Sequence, residues 1–380
     1  MKYADEFIHT VFFPLIHMAL GGTSHHIIID EEDLGELLKL GTKQSIVAII
    51  WKGLVTQDYP KCLIRSFDLA HLKDTRDYIV RDDSYKKICA ALNENCIPYI
   101  PLKGSVLKDL YPEPWMRTSC DIDILVHEED LDKAVTAIER STDFKSIGRG
   151  YHDVSMVNSA VHLELHFSIK EQIEDIDRLL ANAWDYARKT ENGSCYIFSP
   201  EYQIFHTLAH MSYHLRHSGL GIRPFLDLWL LKTKTIYDEI TLQQYCSTCG
   251  ILTFYNKCCE MLAVWMNEKP LNSDLKVLED YCLNGGVYGN SKIASAAVLR
   301  ESRGYKYLVR RLFIRKSVLQ ELYPNLRRKP YLLPYYQLKR WLRLCNKQRR
   351  KRAVGELKGI YSIREEQIVS FDQLLISLGF

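Results

Sequence analysis

Three textures of hydrophobic spacing succeed one another along the chain. Residues 1–94 carry apolar positions at helical intervals, broken at Gly21-Gly22 and Tyr59-Pro60 and closing in a charged amphipathic stretch over 61–93, which predicts a helical lead-in. From Cys96 the spacing shortens. Segments 97–101, 121–126, 143–148, 153–158 and 161–167 read as strands, and 128–140 has helical spacing. After Ser199-Pro200 the helical period returns, with a proline in the first turn and long runs over 202–217 and 225–232. The pattern predicts an α+β protein: a small mixed β-sheet domain over 95–198, an N-terminal α-helical region over 1–94, and a larger C-terminal α-helical region over 199–380.

Composition changes this picture little. The chain has 380 residues, 47% hydrophobic and 26% charged, enough to bury a core without disulfide or metal staples. Net charge is only +3, which excludes a generally polycationic protein, but the basic segment 303–352 holds 17 Lys or Arg against the single acid Glu321. Tyr331, Tyr335, Tyr336 and Trp341 are interleaved with it, so a polyanion or membrane-surface contact is weighed there against an ordinary solvated helix face. The 11 cysteines have no regular spacing and predict reduced thiols and a cytoplasmic location. The first apolar run is interrupted by His9, Pro14 and His17, and no signal peptide or transmembrane segment is expected.

The candidate chemistry lies in 102–166. Side chains two apart on a strand share a face, so Asp121 and Asp123 project together while Ile122 and Ile124 enter the core. Two adjacent carboxylates repel, and a divalent ion such as Mg²⁺ or Mn²⁺ relieves that repulsion. In Val161–His166 the alternation puts His162, Glu164 and His166 on one face; if the two strands are neighbours, three carboxylates converge on a site fit for two metal ions and displacement at phosphorus. Gly104-Ser105 offers a close backbone approach to phosphate, with Lys103 and Arg117 supplying point and bidentate charge.

These residues resemble the polymerase-β-type nucleotidyltransferase superfamily, whose signature joins a Gly-Gly or Gly-Ser turn to Asp-x-Asp and a later acid on a neighbouring strand. The closest likeness is to a family of uncharacterised bacterial nucleotidyltransferases, carried by Leu102-Lys103-Gly104, Tyr111-Pro112, Arg117, Asp121–Val126 and Glu164-Leu165-His166. It covers about residues 95–170 and continues more weakly through His210 and Arg223–Asp227. Two features depart from the superfamily: the gap from Ser105 to Asp121 is longer, and Glu164 stands where Asp is more usual. The resemblance implies Mg²⁺-dependent transfer of an NMP from an NTP to an acceptor hydroxyl with release of pyrophosphate. Asp121, Asp123 and Glu164 would be the catalytic metal ligands, and Lys103, Gly104, Ser105 and Arg117 would hold the nucleotide. The acceptor, whether small molecule, sugar, protein or RNA, is left open.

The rival reading is a non-catalytic nucleotide- or polyanion-binding module of the same fold. A third, a zinc hydrolase on His206, His210 and His214, is disfavoured because His206-Thr207-Leu208-Ala209-His210 lacks the glutamate such an enzyme uses as base. That helix is expected to pack against the sheet unit, with His210 or Asp227 near the acceptor or base pocket as lesser alternatives. His162 and His166 are expected to be orienting or core histidines.

Overall fold

The computed structural model describes residues 5–23, 26–286, 325–342 and 365–380, with isolated positions between 313 and 323. Its helices before the sheet are α1 (Asp5–Phe7), α2 (Phe13–Ala19), α3 (Glu31–Gln44), α4 (Val47–Thr56) and α5 (Arg65–Glu94). Asp30 and Asp33 form a reciprocal capping box that starts α3. Cys96, at φ 53°, turns the chain out of α5, and the Ile97 amide returns to the Leu92 carbonyl.

Five strands follow: β1 (Tyr99–Pro101), β2 (Asp121–Val126), β3 (Lys145–Arg149), β4 (Asp153–Val157) and β5 (His162–His166), in the order β1-β2-β5-β4-β3. The β2–β5 pair is parallel and the others antiparallel, so the sheet is mixed. Between the strands lie α6 (Gly104–Leu107) and α7 (Leu131–Ser141). Beyond the sheet come α8 (Glu174–Leu180) and a two-stranded ribbon of β6 (Ala187–Lys189) and β7 (Tyr196–Phe198). The helical body continues through α9 (Pro200–His217), α10 (Arg223–Lys234), α11 (Glu239–Thr248), α12 (Leu252–Trp265) and α13 (Ser273–Gly285), with a further helix over Glu365–Ser377. Ser199 caps α9 by accepting from the Tyr202 amide, and Pro200 takes the first turn.

The alternation in β2 and β5 decides what each sheet face does. Ile122, Ile124, Val126, Leu163 and Leu165 point to one side and pack with Ile88 and Leu92 of α5 and Ala134 and Ile138 of α7. At roughly 1.5–3 kcal/mol per fully buried aliphatic side chain, a one-residue slip that exposed this set would be prohibitive, so the register is firmly set. The opposite face carries Asp121, Asp123, Glu164 and His166 and looks toward the helical body. That body is one core: Phe12, Phe13 and Leu15 from the first helices pack with Phe225 and Trp265, and Phe13 stacks on Trp265 at 4.5 Å. Gln44, fully buried, ties the N-terminal helices to the helical body beyond the sheet. Its amide nitrogen donates to the Cys282 carbonyl at 2.9 Å, and its oxygen accepts from the Ile222 amide at 3.0 Å.

Most of the basic segment 303–352 lies outside the described residues. Within it, a helix over Leu333–Leu342 exposes Tyr335 and Leu338. No described helix is long and apolar enough to cross a membrane, and every described cysteine is free.

Candidate active site

Parallel pairing of β2 with β5 sets Asp123 opposite Glu164 and Asp121 opposite His162. The acids that the alternation placed on one face therefore meet across a single hydrogen-bonded ladder. Asp123 is 2% exposed, and one of its oxygens, Oδ1, lies 2.9 Å from Lys103 Nζ and 2.9 Å from His166 Nε2. Burial alone would raise the Asp123 carboxyl; the Lys103 ammonium and the His166 hydrogen bond outweigh it and hold the group far below the usual carboxylate range. His166 also reaches Glu164 Oε2 at 3.5 Å. That hydrogen bond is the main cause that lowers the Glu164 carboxyl, while the two acids raise the His166 imidazole against the effect of its burial. Asp121 differs: burial and the neighbouring Asp123 charge push its carboxyl up, and Ser119 Oγ donates to it at 3.1 Å.

Lys103 is delivered by an unusual turn. It precedes α6 with φ 46° and ψ −119°, a region that L-residues seldom occupy and that costs of order 1–3 kcal/mol. The turn carries the Lys103 ammonium back onto Asp123. Gly104 has a packing reason to be glycine, since a Cβ there would stand 2.9 Å from Ser119 Oγ. Ser105 faces a small second cavity beside Tyr78, Arg81 and Lys108.

Arg117 is 7% exposed and clamps Asp227 of α10, with Nε to Oδ1 at 2.8 Å and Nη2 to Oδ2 at 2.9 Å; the Tyr111 hydroxyl donates to Oδ1 at 2.8 Å. The guanidinium thus joins the β2 approach to the helical body while still lining the main cavity.

That cavity, about 310 Å³, lies between the acidic sheet face and α9–α10. Lys103, Gly104, Asp121 and Asp123 form one wall, and Gln203, His206, His210 and His214 form the facing one. Burial pushes the three α9 histidines down to about 3, so they are neutral. His206 packs edge-on against Phe198 of β7.

The chemistry of the donor set fits a divalent cation. One ligand atom each from Asp123, Glu164 and His166 falls within 4.8 Å of the others, giving two anionic oxygens and a nitrogen. Asp121 shares the same wall of the cavity with Asp123. The structure thus brings together Asp121, Asp123, Glu164 and Lys103 of the expected residues, keeps Gly104 and Arg117 on the cavity, and sets Ser105 behind it. Spacing alone did not single out His166 as a member of the acidic cluster, nor Glu171 and Gln203 as cavity residues. Alternation already put His166 on the Glu164 face, whereas Glu171 sits in an aperiodic loop that carries no such signal.

Compared with known proteins, residues 30–267 match the model of a family described as an uncharacterised nucleotidyltransferase. No curated protein and no solved structure matches the chain.

Proposed function

Because the chain belongs to this family of uncharacterised nucleotidyltransferases, we propose that it moves an NMP from an NTP to an acceptor hydroxyl and releases pyrophosphate. The observation that carries this reading is the Asp123–Glu164 pair, set face to face by strand register with His166 within reach of both. Asp121, Asp123 and Glu164 would hold Mg²⁺ or Mn²⁺, with His166 fixing the orientation of the two acids it bonds. A bound divalent ion would supply charge neutralisation on the phosphates and acidify the acceptor hydroxyl. Lys103 would exchange its contact with Asp123 for the triphosphate, and Gly104 and Arg117 would flank the same end of the cavity, with Ser105 in the adjoining small cavity. Neutral α9 histidines on the opposite wall leave room for an uncharged group. Free thiols throughout the described residues favour a reducing compartment, the cytoplasm.

The test is Mn²⁺-dependent binding of a non-hydrolysable NTP, together with a screen of α-labelled NTPs for covalent transfer. Asp121→Ala with Asp123→Ala should abolish both in a folded protein, and unchanged turnover in that double variant would remove the mechanism.

One observation favours the rival, a nucleotide- or polyanion-binding module without chemistry: Lys103 already neutralises Asp123 with no ion required. That protein would bind its partner with steep salt dependence and would keep binding after loss of Asp121, since counterion release needs no active site.

A further inference from the structure

One largely buried carboxylate of the cavity takes no part in holding metal or nucleotide. Glu171, in the loop after β5, is 14% exposed along its side chain and lies with Oε1 2.7 Å from His210 Nδ1. His210 Nε2 is 3.0 Å from His214 Nε2, and His214 Nδ1 is 2.9 Å from Ser218 Oγ. With Glu171 ionised, one donor per link orders the chain: His210 donates to the carboxylate, His214 to His210, and Ser218 to His214. The glutamate is therefore aimed by a fixed row of neutral rings.

Burial raises the Glu171 carboxyl above its ordinary value. The groups facing it are His206, His210, Tyr213 and His214 from α9, Lys103 from the turn before α6, and His152 from the β3–β4 connection. Asp177 of α8 accepts from the Glu171 backbone amide at 2.7 Å. A carboxylate raised in this way is a stronger base than an ordinary exposed glutamate.

The cavity has unfilled hydrogen-bonding capacity on both of its walls. Gln203 Nε2, His152 Nδ1 and His166 Nδ1 are buried, line the cavity and have no partner in the protein. Buried polar atoms of this kind call for a ligand's hydroxyls or for water. With neutral histidines and an amide around it, and one carboxylate to repel anions, the Glu171 wall suits an uncharged, hydroxyl-rich molecule.

We propose that the wall formed by Glu171, Gln203 and His210 is the subsite for a small neutral polyol acceptor, and that Glu171 is the general base for its attacking hydroxyl. This rests on the nucleotidyl-transfer reading. The acceptor oxygen forms a bond to the α-phosphorus, the bond from that phosphorus to the bridging oxygen of the β-phosphate breaks, and its electron pair leaves with pyrophosphate. The hydroxyl proton passes to Glu171. His210 is a positioning residue, holding the carboxylate through Oε1.

The experiment uses the full chain with Mn²⁺ and α-labelled NTPs, molar glycerol as the probe acceptor and water in competition. Product formation is followed from pH 5 to 9, beside the affinity for an α,β-methylene NTP and the melting temperature. Glu171→Gln should lose turnover by about 100-fold or more, within the range of general-base losses, and lose the acidic limb of the pH profile. Analogue affinity should stay within about threefold. Glu171→Asp should retain the limb at a reduced rate, which separates chemistry from misfolding. His210→Leu removes a donor to the carboxylate and should move the acidic limb to higher pH. Turnover of Glu171→Gln within threefold of the parent, or loss of analogue binding in it, overturns the base. A parent chain that transfers label to water or another acceptor but not to glycerol overturns the subsite alone, and one that binds the analogue yet transfers to nothing, or binds no analogue, overturns nucleotidyl transfer itself.

Discussion

Replacing Asp227 with Asn keeps the shape of the clamp on Arg117 and removes its charge. In the parent, two guanidinium contacts at 2.8 and 2.9 Å and the Tyr111 hydroxyl at 2.8 Å converge on a carboxylate whose side chain is 4% exposed. An asparagine amide presents one oxygen where there were two, and its nitrogen faces a cation. Breaking a buried pair from one side costs about 3–5 kcal/mol, because the remaining charge is stranded away from water. Against a typical folding free energy of about 5–15 kcal/mol, that is a large fraction. Urea unfolding followed by circular dichroism should therefore show Asp227→Asn losing about 3 kcal/mol or more. Replacing the whole set, Arg117→Met with Asp227→Leu and Tyr111→Phe, should recover most of the loss, since no buried polar group is then left alone. A cost below about 1 kcal/mol for Asp227→Asn, or a triple variant no better than the single one, would refute the reasoning. The triple variant also tests the role proposed for Arg117: if it is stable but binds the NTP analogue poorly, the guanidinium serves the triphosphate as well as the clamp.

Acidification should weaken the fold. The α9 histidines sit near 3 when folded and at 6.5 when unfolded, so the unfolded chain binds more protons below pH 6.5, and stability present above that pH is lost as pH falls toward 3. Glu171, shifted the other way, offsets part of this; an unchanged urea midpoint between pH 7 and 5 would contradict it. Gly104→Ala should cost about 1–3 kcal/mol by overpacking against Ser119, and Ser119→Gly should restore it in the same unfolding assay. Gln44→Leu strands the Cys282 carbonyl and the Ile222 amide at roughly 1–3 kcal/mol each, and should lower the melting temperature accordingly.

Period alone was enough to find the strands that matter. The expected 121–126 strand is β2 to the residue, and the strict alternation of 161–167 contains β5, because one buried face leaves a strand little choice of register. Strands β6 and β7 went unread: three residues are too few to show a period, and β1, equally short, was found from its β-prone composition instead. The site was legible as acids on a shared face, but not as a network. That Lys103 would turn back onto Asp123 depends on a rare backbone conformation at Lys103 itself. That Arg117 would spend its fork on Asp227 depends on a contact between residues 110 positions apart. Tertiary packing decides both, and neither leaves a local trace.

The shared core of the two helical regions bears on how this protein can be handled. A fragment trimmed to 95–198 would keep its strands but present Ile100, Leu125 and Ile169 to solvent and part Arg117 from Asp227, so it should be recovered as aggregate. The sheet is thus a tenant of the helices around it, and inheritance of the candidate site by another protein would require most of the chain to travel with it.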